Sequence, residues 1–201
     1  MAGKEFKIIL TGFEPFGGAA VNPSWEGVKL VPERIIAGSS SAEVVKVRLP
    51  VVYGRAYEVL KAEMADEKPD AVICTGLASG RKSVTPEVIA VNLMHASSAD
   101  NSGFRPSWEK IDPAGPDGLF STLPNLEMVS AVNSLGISSS LSFSAGTYVC
   151  NDLFYRLMRG NISCGFYKSF PAGFIHVPDI APEQIASALT ACIKTVLTLR
   201  N

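Results

Sequence analysis

One cysteine stands where a thiol could act as a nucleophile. Cys150 lies in SFSAGTYVCNDLFYRLM, where a predicted strand ends, Ala-Gly-Thr forms a turn and a helix follows. In the first turn of that helix, unpaired N–H groups and the positive end of the helix dipole favour a thiolate over a thiol. The same N–H groups can bind the oxyanion that forms when a carbonyl is attacked. The alternative is that Cys150 is a small core residue beneath the helix.

A nucleophilic cysteine needs a base, and the chain has only two histidines. His176 lies in AGFIHVPD, near the end of an apolar strand, where the sites of α/β proteins form. A core histidine bonded to a backbone carbonyl is the alternative interpretation. His95 begins a polar stretch, and we expect it to be exposed.

Glu87 is the acid within the otherwise apolar run VTPEVIAV. A buried carboxylate without a partner costs free energy, so this residue needs one if it lies in the core. Orienting the imidazole of His176 would supply that partner. A strand-edge carboxylate that points to water is the alternative.

A glycine-rich turn, TGFEPFGG, follows the first predicted strand. It lacks the Lys-Ser/Thr of a P-loop and the spacing of GxGxxG, so it is a weak nucleotide signal. It does present Phe13 and Phe16 at a strand end, where aromatic rings can form the walls of a small apolar pocket. Both rings packed in the core is the alternative. Arg81, in GLASGR, could clamp an anion or cap loop carbonyls.

The remaining cysteines do not point to chemistry. Cys74 and Cys192 lie in apolar segments, and we expect both to be buried and unreactive. Cys164 follows a predicted helix, and nothing in its surroundings suggests a role. No CxxC pair occurs and the two histidines lie far apart, so no structural metal site is predicted.

Strands and helices that alternate along the chain must position these residues. The predicted strands cover residues 6–10, 42–50, 70–74, 84–93, 139–144 and 172–177. The predicted helices cover residues 23–31, 54–67, 125–134, 147–159 and 182–199. Residues 95–122 are rich in Ser, Gly, Pro and Asp and predict a long loop. The alternation predicts one domain over 1–201, a three-layer α/β/α sandwich around a largely parallel, mixed, twisted sheet.

Composition excludes several classes of protein. The chain has 201 residues, of which 47% are hydrophobic, and 18 basic residues against 19 acidic ones. The apolar content is too high for a disordered protein, and the net charge of −1 provides no basic face for nucleic acid. The longest apolar runs are too short to span a membrane, and the N-terminus lacks a signal-peptide pattern. We therefore expect a cytoplasmic protein with reduced thiols and neither nucleic acid nor membrane as a partner.

Four sequence blocks together resemble the pyroglutamyl-peptidase I family, the pyrrolidone-carboxyl peptidases of cysteine peptidase family C15. The blocks are TGFEPFGG with NPSWE at 11–26, GLASGR with TPEVIAVN at 76–92, SAGTYVCND at 144–152 and GFIHVP at 173–178. Further agreement at Leu49-Pro50-Val51 and Asp100-Asn101 extends the resemblance over nearly the whole chain.

The resemblance implies a Cys–His–Glu triad at Cys150, His176 and Glu87. The implied reaction removes an N-terminal pyroglutamyl residue from a peptide through an acyl-enzyme, with no cofactor or metal. The thiolate would attack the carbonyl, the imidazolium would protonate the leaving amine, and the carboxylate would orient the imidazole. The substrate-binding positions implied by the resemblance are Phe13, Phe16, Asn22, Leu77, Tyr148 and Val149. N-terminally pyroglutamylated peptides are the implied partners, and a homo-oligomer (dimer or tetramer) is the implied assembly.

The chain departs from the bacterial pattern after the segment that holds Glu87. Where those relatives read A-R-I-P-D-N, this chain has Ser97 and Ser98 in place of Arg and Ile, and Leu77 stands where many have Gln. These changes remove a positive charge and apolar lining near the expected pocket. Arg81 or His95 could compensate for the missing charge. Kinetics of Ser97→Arg beside wild type would test whether the missing Arg matters.

Two other functions stay open at this point. One is a cysteine hydrolase of the same fold that acts on a different cyclic amide or N-terminal group, which the altered Ser97-Ser98 stretch motivates. The other is a peptide-binding protein without catalysis, in which Cys150 would be inert towards alkylation. A phosphate- or nucleoside-binding role rests on fold analogy alone.

Overall fold

The computed structural model describes residues 5–163 and 170–199. The strands in these ranges are β1 (Glu5–Phe13), β2 (Arg34–Ala37), β3 (Ser40–Leu49), β4 (Ala71–Leu77), β5 (Thr85–Pro86), β6 (Ile89–Val91), β7 (Gly118–Phe120) and β8 (Ala172–Val177). The helices are α1 (Pro23–Leu30), α2 (Arg55–Glu67), α3 (Asn125–Asn133), α4 (Val149–Ser163) and α5 (Pro182–Leu199).

Six of these strands form one mixed sheet in the order β2-β3-β1-β4-β8-β5. The four central strands are parallel, and the antiparallel strands β2 and β5 lie at the two edges. Strands β4 and β8 are apolar and almost entirely buried because both faces of the sheet are covered there. The predicted α/β sandwich around a largely parallel mixed sheet is confirmed.

Alternate side chains of each central strand enter different cores. Ile8 and Leu10 of β1 pack with Ile73 of β4 beneath α1, α3 and α5. On the other face, Ile9 and Phe174 pack beneath α2 and α4. This period of two decides which residues can reach the site, because only one face of β4 and β8 looks toward α4.

Local signals in the sequence explain where the helices begin and what they bury. Asn22 caps α1, since its side chain accepts a hydrogen bond from the Ser24 amide, and Pro23 occupies the first turn. The apolar stripe of α5 is buried, as predicted: Ile185, Leu189 and Ile193 are fully inaccessible to solvent. That stripe packs on α1 closely enough that Gly27 has room for no side chain against Ile185.

Two predictions about the middle of the chain are wrong in part. The run 84–93 is not one strand, because it divides into β5 and β6 on either side of Glu87. The long loop over 95–122 contains β7, which pairs antiparallel with β6. Proline, glycine and serine surround that three-residue strand, so its pattern was too short to detect.

The strand predicted over 139–144 is also wrong. Only isolated bridges form there, from Ser139 to Val84 and from Ser142 to Glu87. Serine hydroxyls bond to backbone carbonyls in this segment, as Ser139 Oγ does to the Val84 carbonyl at 2.8 Å. Such bonds compete with a regular ladder.

Two smaller differences follow from tertiary contacts. Strand β2 was not predicted, because its four residues are stabilised by pairing with β3 rather than by their own pattern. The predicted exposure of His95 is wrong, since its ring is half-buried and stacks on Trp108 with the ring centroids 5.1 Å apart.

Cys164 lies outside the described residues. Within the part of the chain that the structure describes, no helix is both long and apolar enough to cross a membrane.

Candidate active site

The site lies at the carboxyl edge of the parallel strands, where sites of open α/β sheets form. β1 ends at Phe13, and β4 and β8 end one residue beyond the paired residues Gly76 and His176. Paired residues of parallel strands present their side chains to the same face. The imidazole of His176 and the open face of Gly76 therefore both look toward α4.

Cys150 is the second residue of α4, which confirms its predicted place in the first turn. The first hydrogen bond of the helix runs from the Asp152 amide to the Tyr148 carbonyl at 3.1 Å. The amides of residues 149–151 consequently have no partner within the helix and can serve an oxyanion. The turn before the helix contains Gly146 at a φ of 76°, a conformation that glycine adopts without strain.

The thiol lies directly against Gly76. A methyl group added to Gly76 would approach Cys150 Sγ to 2.8 Å and the Phe174 ring to 2.9 Å. Gly76 is the register partner of His176, and the rings of Phe174 and His176 are 4.8 Å apart. Adjacent strands are about 4.8 Å apart, so the thiol and the imidazole lie on one face, one strand apart.

Burial raises the pKa of the Cys150 thiol to about 12, and the negative charge of Glu87 adds to this effect. The nearby Arg81 guanidinium opposes it. A thiol in these surroundings does not ionise alone at neutral pH. Thiolate formation at this position therefore requires a cation beside it, which a protonated imidazole would supply.

His176 and Glu87 form a buried hydrogen-bonded pair. His176 Nδ1 lies 2.7 Å from Glu87 Oε1, and the two side chains are 6% and 0% exposed. Burial lowers the pKa of His176 below its usual value, with Arg81 acting in the same direction and Glu87 opposing. The imidazole is thus neutral at rest, with Nδ1–H donated to the carboxylate and Nε2 left as the basic nitrogen.

Glu87 carries the negative charge of this pair. Burial by itself would raise the pKa of its carboxyl, but interactions with His176, Ser142 and Arg81 bring the pKa below the usual value. Its backbone is also fixed, since the Glu87 amide donates to the Phe174 carbonyl at 2.9 Å. The strand-edge carboxylate in water, the alternative interpretation, does not describe this residue.

Arg81 makes an ion pair with the same carboxylate. Its Nη1 lies 2.6 Å from Glu87 Oε1, the oxygen that His176 also contacts, and its Nη2 donates to the Ser144 carbonyl at 2.7 Å. The sequence suggested either an anion clamp or a cap for loop carbonyls, and the structure shows both. The anion is Glu87.

A small pocket opens beside the thiol, with an empty volume of about 290 Å³ that includes its mouth. It is lined by Phe13, Phe16, Asn22, Val51, Leu77, Tyr148, Val149 and Cys150. The structure thus brings all six predicted substrate-binding residues together around the predicted nucleophile. Its size and mainly apolar lining fit a small flat ring better than an extended peptide.

The two phenylalanines differ in how they meet this pocket. Phe13 is only 2% exposed and belongs to the core beneath α4, so it is both a core residue and a pocket wall. Phe16 is half-buried, and its ring centroid lies 6.4 Å from that of Tyr148. Phe13 is thus the rigid wall, and Phe16 lies on the more accessible side.

Hydrogen bonds hold the loops around the pocket. Asn22 donates from Nδ2 to the Glu14 carbonyl at 2.9 Å, and its Oδ1 accepts from Ser24. Asn101 donates to Glu14 Oε1 and to the Pro15 carbonyl, both at 2.9 Å. The amide of Asn22 is therefore engaged in shaping the wall as well as facing the pocket.

The sequence did not identify Val51 as a pocket residue, nor Gly76 as the residue against which the Cys150 sulfur packs. Val51 follows closely on β3, so its position at a strand end was the available signal. Nothing in the sequence marks Gly76 as the glycine that the thiol needs, because the contact joins residues far apart in the chain and in different elements.

Comparison with known proteins gives one consistent result. The family model for pyroglutamyl peptidase matches residues 6–198. A pyrrolidone-carboxylate peptidase of Thermosipho africanus is 44% identical over 97% of this chain and 98% of its own length. A pyrrolidone-carboxylate peptidase of Thermococcus onnurineus is 39% identical over 95% of this chain and 98% of its own length.

Solved structures agree with these relatives. The crystal structure of pyroglutamyl peptidase I from Bacillus amyloliquefaciens superposes with a TM-score of 0.90 at 36% identity, covering 96% of this chain and 97% of that one. A variant pyrrolidone carboxyl peptidase from Pyrococcus furiosus superposes with a TM-score of 0.89 at 34% identity, covering 97% of this chain and 100% of that one.

Proposed function

The chain belongs to the pyroglutamyl peptidase family, and we propose accordingly that it removes N-terminal pyroglutamyl residues from peptides with Cys150 as the nucleophile. The observation that carries the proposal is the arrangement at the sheet edge. The thiol on Gly76 faces the neighbouring strand at His176, whose imidazole is bonded to Glu87 at 2.7 Å.

The first step forms an acyl-enzyme. Nε2 of His176 accepts the proton of the Cys150 thiol, and the thiolate sulfur attacks the carbonyl carbon of the pyroglutamyl residue. The oxyanion of the tetrahedral intermediate is stabilised by the free amides at the start of α4. The imidazolium then gives its proton to the leaving amine as the C–N bond breaks, which leaves a thioester.

The second step returns the enzyme to its resting state. His176 takes a proton from water, and the resulting hydroxide attacks the thioester carbonyl. When the C–S bond breaks, free pyroglutamate leaves and the proton passes from His176 to the Cys150 sulfur. Glu87 stays ionised throughout and stabilises the imidazolium through Nδ1.

The pocket accounts for the choice of substrate. A pyrrolidone ring is flat and small, and it can lie between Phe13 and Phe16 with its carbonyl carbon toward Cys150. We expect backbone groups beside Leu77 and Tyr148 to bond the lactam N–H and C=O, by similarity to the family. A site that bonds those groups rejects a ring without them, because its own polar groups would then be buried unpaired.

Release of a fluorescent amine from a pyroglutamyl amide tests the proposal. We expect activity in wild type, in EDTA and reducing agent, and none in Cys150→Ala or Cys150→Ser. Cys192→Ala is the matched control, since Cys192 of α5 is buried on the opposite face of the sheet and its replacement should leave activity intact.

A prolyl amide tests the choice of ring, since proline lacks the lactam carbonyl. Turnover of the prolyl amide in preference to the pyroglutamyl amide would point to another N-terminal group. A folded wild type that hydrolyses neither amide would contradict the proposed activity.

Two finer statements are part of the proposal. Cys74, Cys150 and Cys192 are free thiols, as expected of an enzyme in a reducing compartment such as the cytoplasm. We expect a homo-oligomer, a dimer or a tetramer, by similarity to the family; light scattering of the purified protein would decide.

A further inference from the structure

Arg81 contacts three separate segments around the proposed acid. Its guanidinium donates to the Thr85 hydroxyl on β5, to Glu87 Oε1 at 2.6 Å, and to the Ser144 carbonyl at 2.7 Å. Ser144 lies in the turn that leads into α4 and Cys150. One side chain thus joins the segment of the acid to the turn before the nucleophile.

The charges around the thiol show why a cation is needed there. Glu87 is fully buried, and Arg81 is 29% exposed, so their ion pair is shielded from water on one side. A Cys150 thiolate and a His176 imidazolium add one negative and one positive charge. With Arg81 the four groups sum to zero. Arg81 acts on both groups, since it lowers the pKa of the Cys150 thiol and that of His176. Without it, the uncompensated charge of Glu87 would stand beside the thiolate, which a poorly solvated site disfavours.

The remaining titratable groups do not supply that cation. Cys74 of β4, Tyr53 and Tyr148 lie close enough to interact electrostatically with the thiol, but none of them carries a positive charge. Lys82 is exposed in the neighbouring groove. Among the residues that the structure describes, Arg81 and His176 are the basic side chains that reach the Glu87 carboxylate, and His176 is neutral until it takes the thiol proton.

We propose that Arg81 is a positioning residue of this active site, which fixes the Glu87 carboxylate toward His176 and supplies the positive charge that balances it when the Cys150 thiolate forms. The inference rests on the proposed function, because it assigns Arg81 a task in the same triad. It acts through Glu87 and does not itself touch the substrate.

The test follows the thiolate directly. The rate of Cys150 alkylation by iodoacetamide, with the modified residue identified by mass spectrometry, is measured against pH in wild type, Arg81→Met and Arg81→Lys. We expect the midpoint of alkylation to move to higher pH in Arg81→Met and to return toward the wild-type value in Arg81→Lys. Lys82→Met is the matched control, since it removes an equal charge one residue away and should not move the midpoint.

Steady-state kinetics supply the second readout. We expect kcat for the pyroglutamyl amide to fall by about 10- to 100-fold in Arg81→Met with KM changed by less than about threefold, because orientation is lost while the pocket stays intact. In a Glu87→Gln background the same substitution should have much less effect, because Arg81 acts through that carboxylate.

Two outcomes would overturn the inference. One is a folded Arg81→Met with the wild-type alkylation profile and kcat. The other is a lower melting temperature with an unshifted alkylation midpoint, which would make Arg81 a structural brace only. A wild type that fails to cleave the pyroglutamyl amide would contradict the proposed function. Alkylation needs no turnover, so it would still test the role of Arg81 in that case.

Discussion

The carboxylate of Glu87 accepts hydrogen bonds from two side chains on a single oxygen. His176 and Arg81 both contact Oε1, at 2.7 and 2.6 Å, whereas Oε2 is buried and has no hydrogen-bond partner among the described residues. The Ser142 hydroxyl stands near the carboxyl, but in this structure it donates to the Ser144 carbonyl at 3.2 Å. His176 and Arg81 therefore orient the carboxylate through the same oxygen.

Replacing this acid tests its role at the scale of one residue. Glu87→Gln keeps the size of the side chain but removes the charge that stabilises the imidazolium. We expect kcat to fall by about 100-fold or more while KM changes little, as for the acid of other triads. Steady-state kinetics with a pyroglutamyl amide would measure this, and an unchanged kcat would show that His176 needs no carboxylate.

At the scale of elements, the site depends on how closely α4 approaches β4. Gly76 has no side chain, and the Cys150 sulfur fills the space that one would take. A similar close approach occurs where Gly12 of β1 meets α1, since a methyl group on Gly12 would lie 2.8 Å from the Trp25 Cα. Strand and helix termini meet at the site because these two glycines allow it.

Adding one methyl group at Gly76 should displace the nucleophile. Gly76→Ala would push against Cys150 Sγ and the Phe174 ring, and we expect at least a tenfold loss of kcat with destabilisation of about 1–3 kcal/mol. Gly80→Ala is the matched control, because a methyl group there meets nothing within 4 Å. Equal activity of the two variants would contradict the placement of the thiol.

Asp152 fixes the first turn of α4 to α2. Its buried carboxylate accepts from the Gly54 amide and from Arg156 Nε, both at 2.8 Å. We expect Asp152→Ala to lower the free energy of unfolding by about 1–3 kcal/mol, because it leaves the Gly54 amide without its acceptor. Arg156→Met removes only the partly exposed partner and should cost about 1 kcal/mol or less. Urea denaturation of both variants would show whether the costs differ in this order.

At the scale of the whole molecule, the buried pair of His176 and Glu87 makes stability depend on pH. The pKa of His176 is lowered in the folded state, so the unfolded chain takes up this proton more readily. The folded state therefore loses stability as the pH falls below about 6.5, the usual pKa of histidine. The pKa of Glu87 is also lowered, so the stability it contributes is lost as the pH falls below its usual value of 4.5. Both groups act in the same direction, and the folded state loses stability on acidification.

Thermal unfolding between about pH 8 and pH 5 would measure this dependence. We expect the melting temperature of wild type to fall as the pH drops through about 6.5, and the fall to be smaller in His176→Gln, which cannot take up the proton. An identical slope in the two proteins would mean that His176 does not contribute to the acid sensitivity.

Most of the architecture, and the choice of the residues that we propose as reacting groups, follow from the amino-acid sequence. Continuous apolar runs predicted buried parallel strands, and the periodicity of α5 predicted its buried stripe. The chain has only four cysteines and two histidines, so one cysteine at a helix start and one histidine at a strand end could be singled out. Among the 19 acidic residues, Glu87 could be singled out because it lies in an apolar run. Each of these signals lies within a short stretch of neighbouring residues, so it can be recognised from the sequence alone.

How these groups are connected became known only from the folded chain. The break of 84–93 at Glu87, the pairing of β6 with β7 and the irregular course of 139–144 depend on hydrogen bonds between distant segments. The packing of the Cys150 thiol against Gly76 and the contact of Arg81 with Glu87 depend on distances and side-chain directions. The spacing of these residues along the sequence does not reveal them. Which two groups meet is a property of packing, because it is fixed by the close approach of elements remote in sequence.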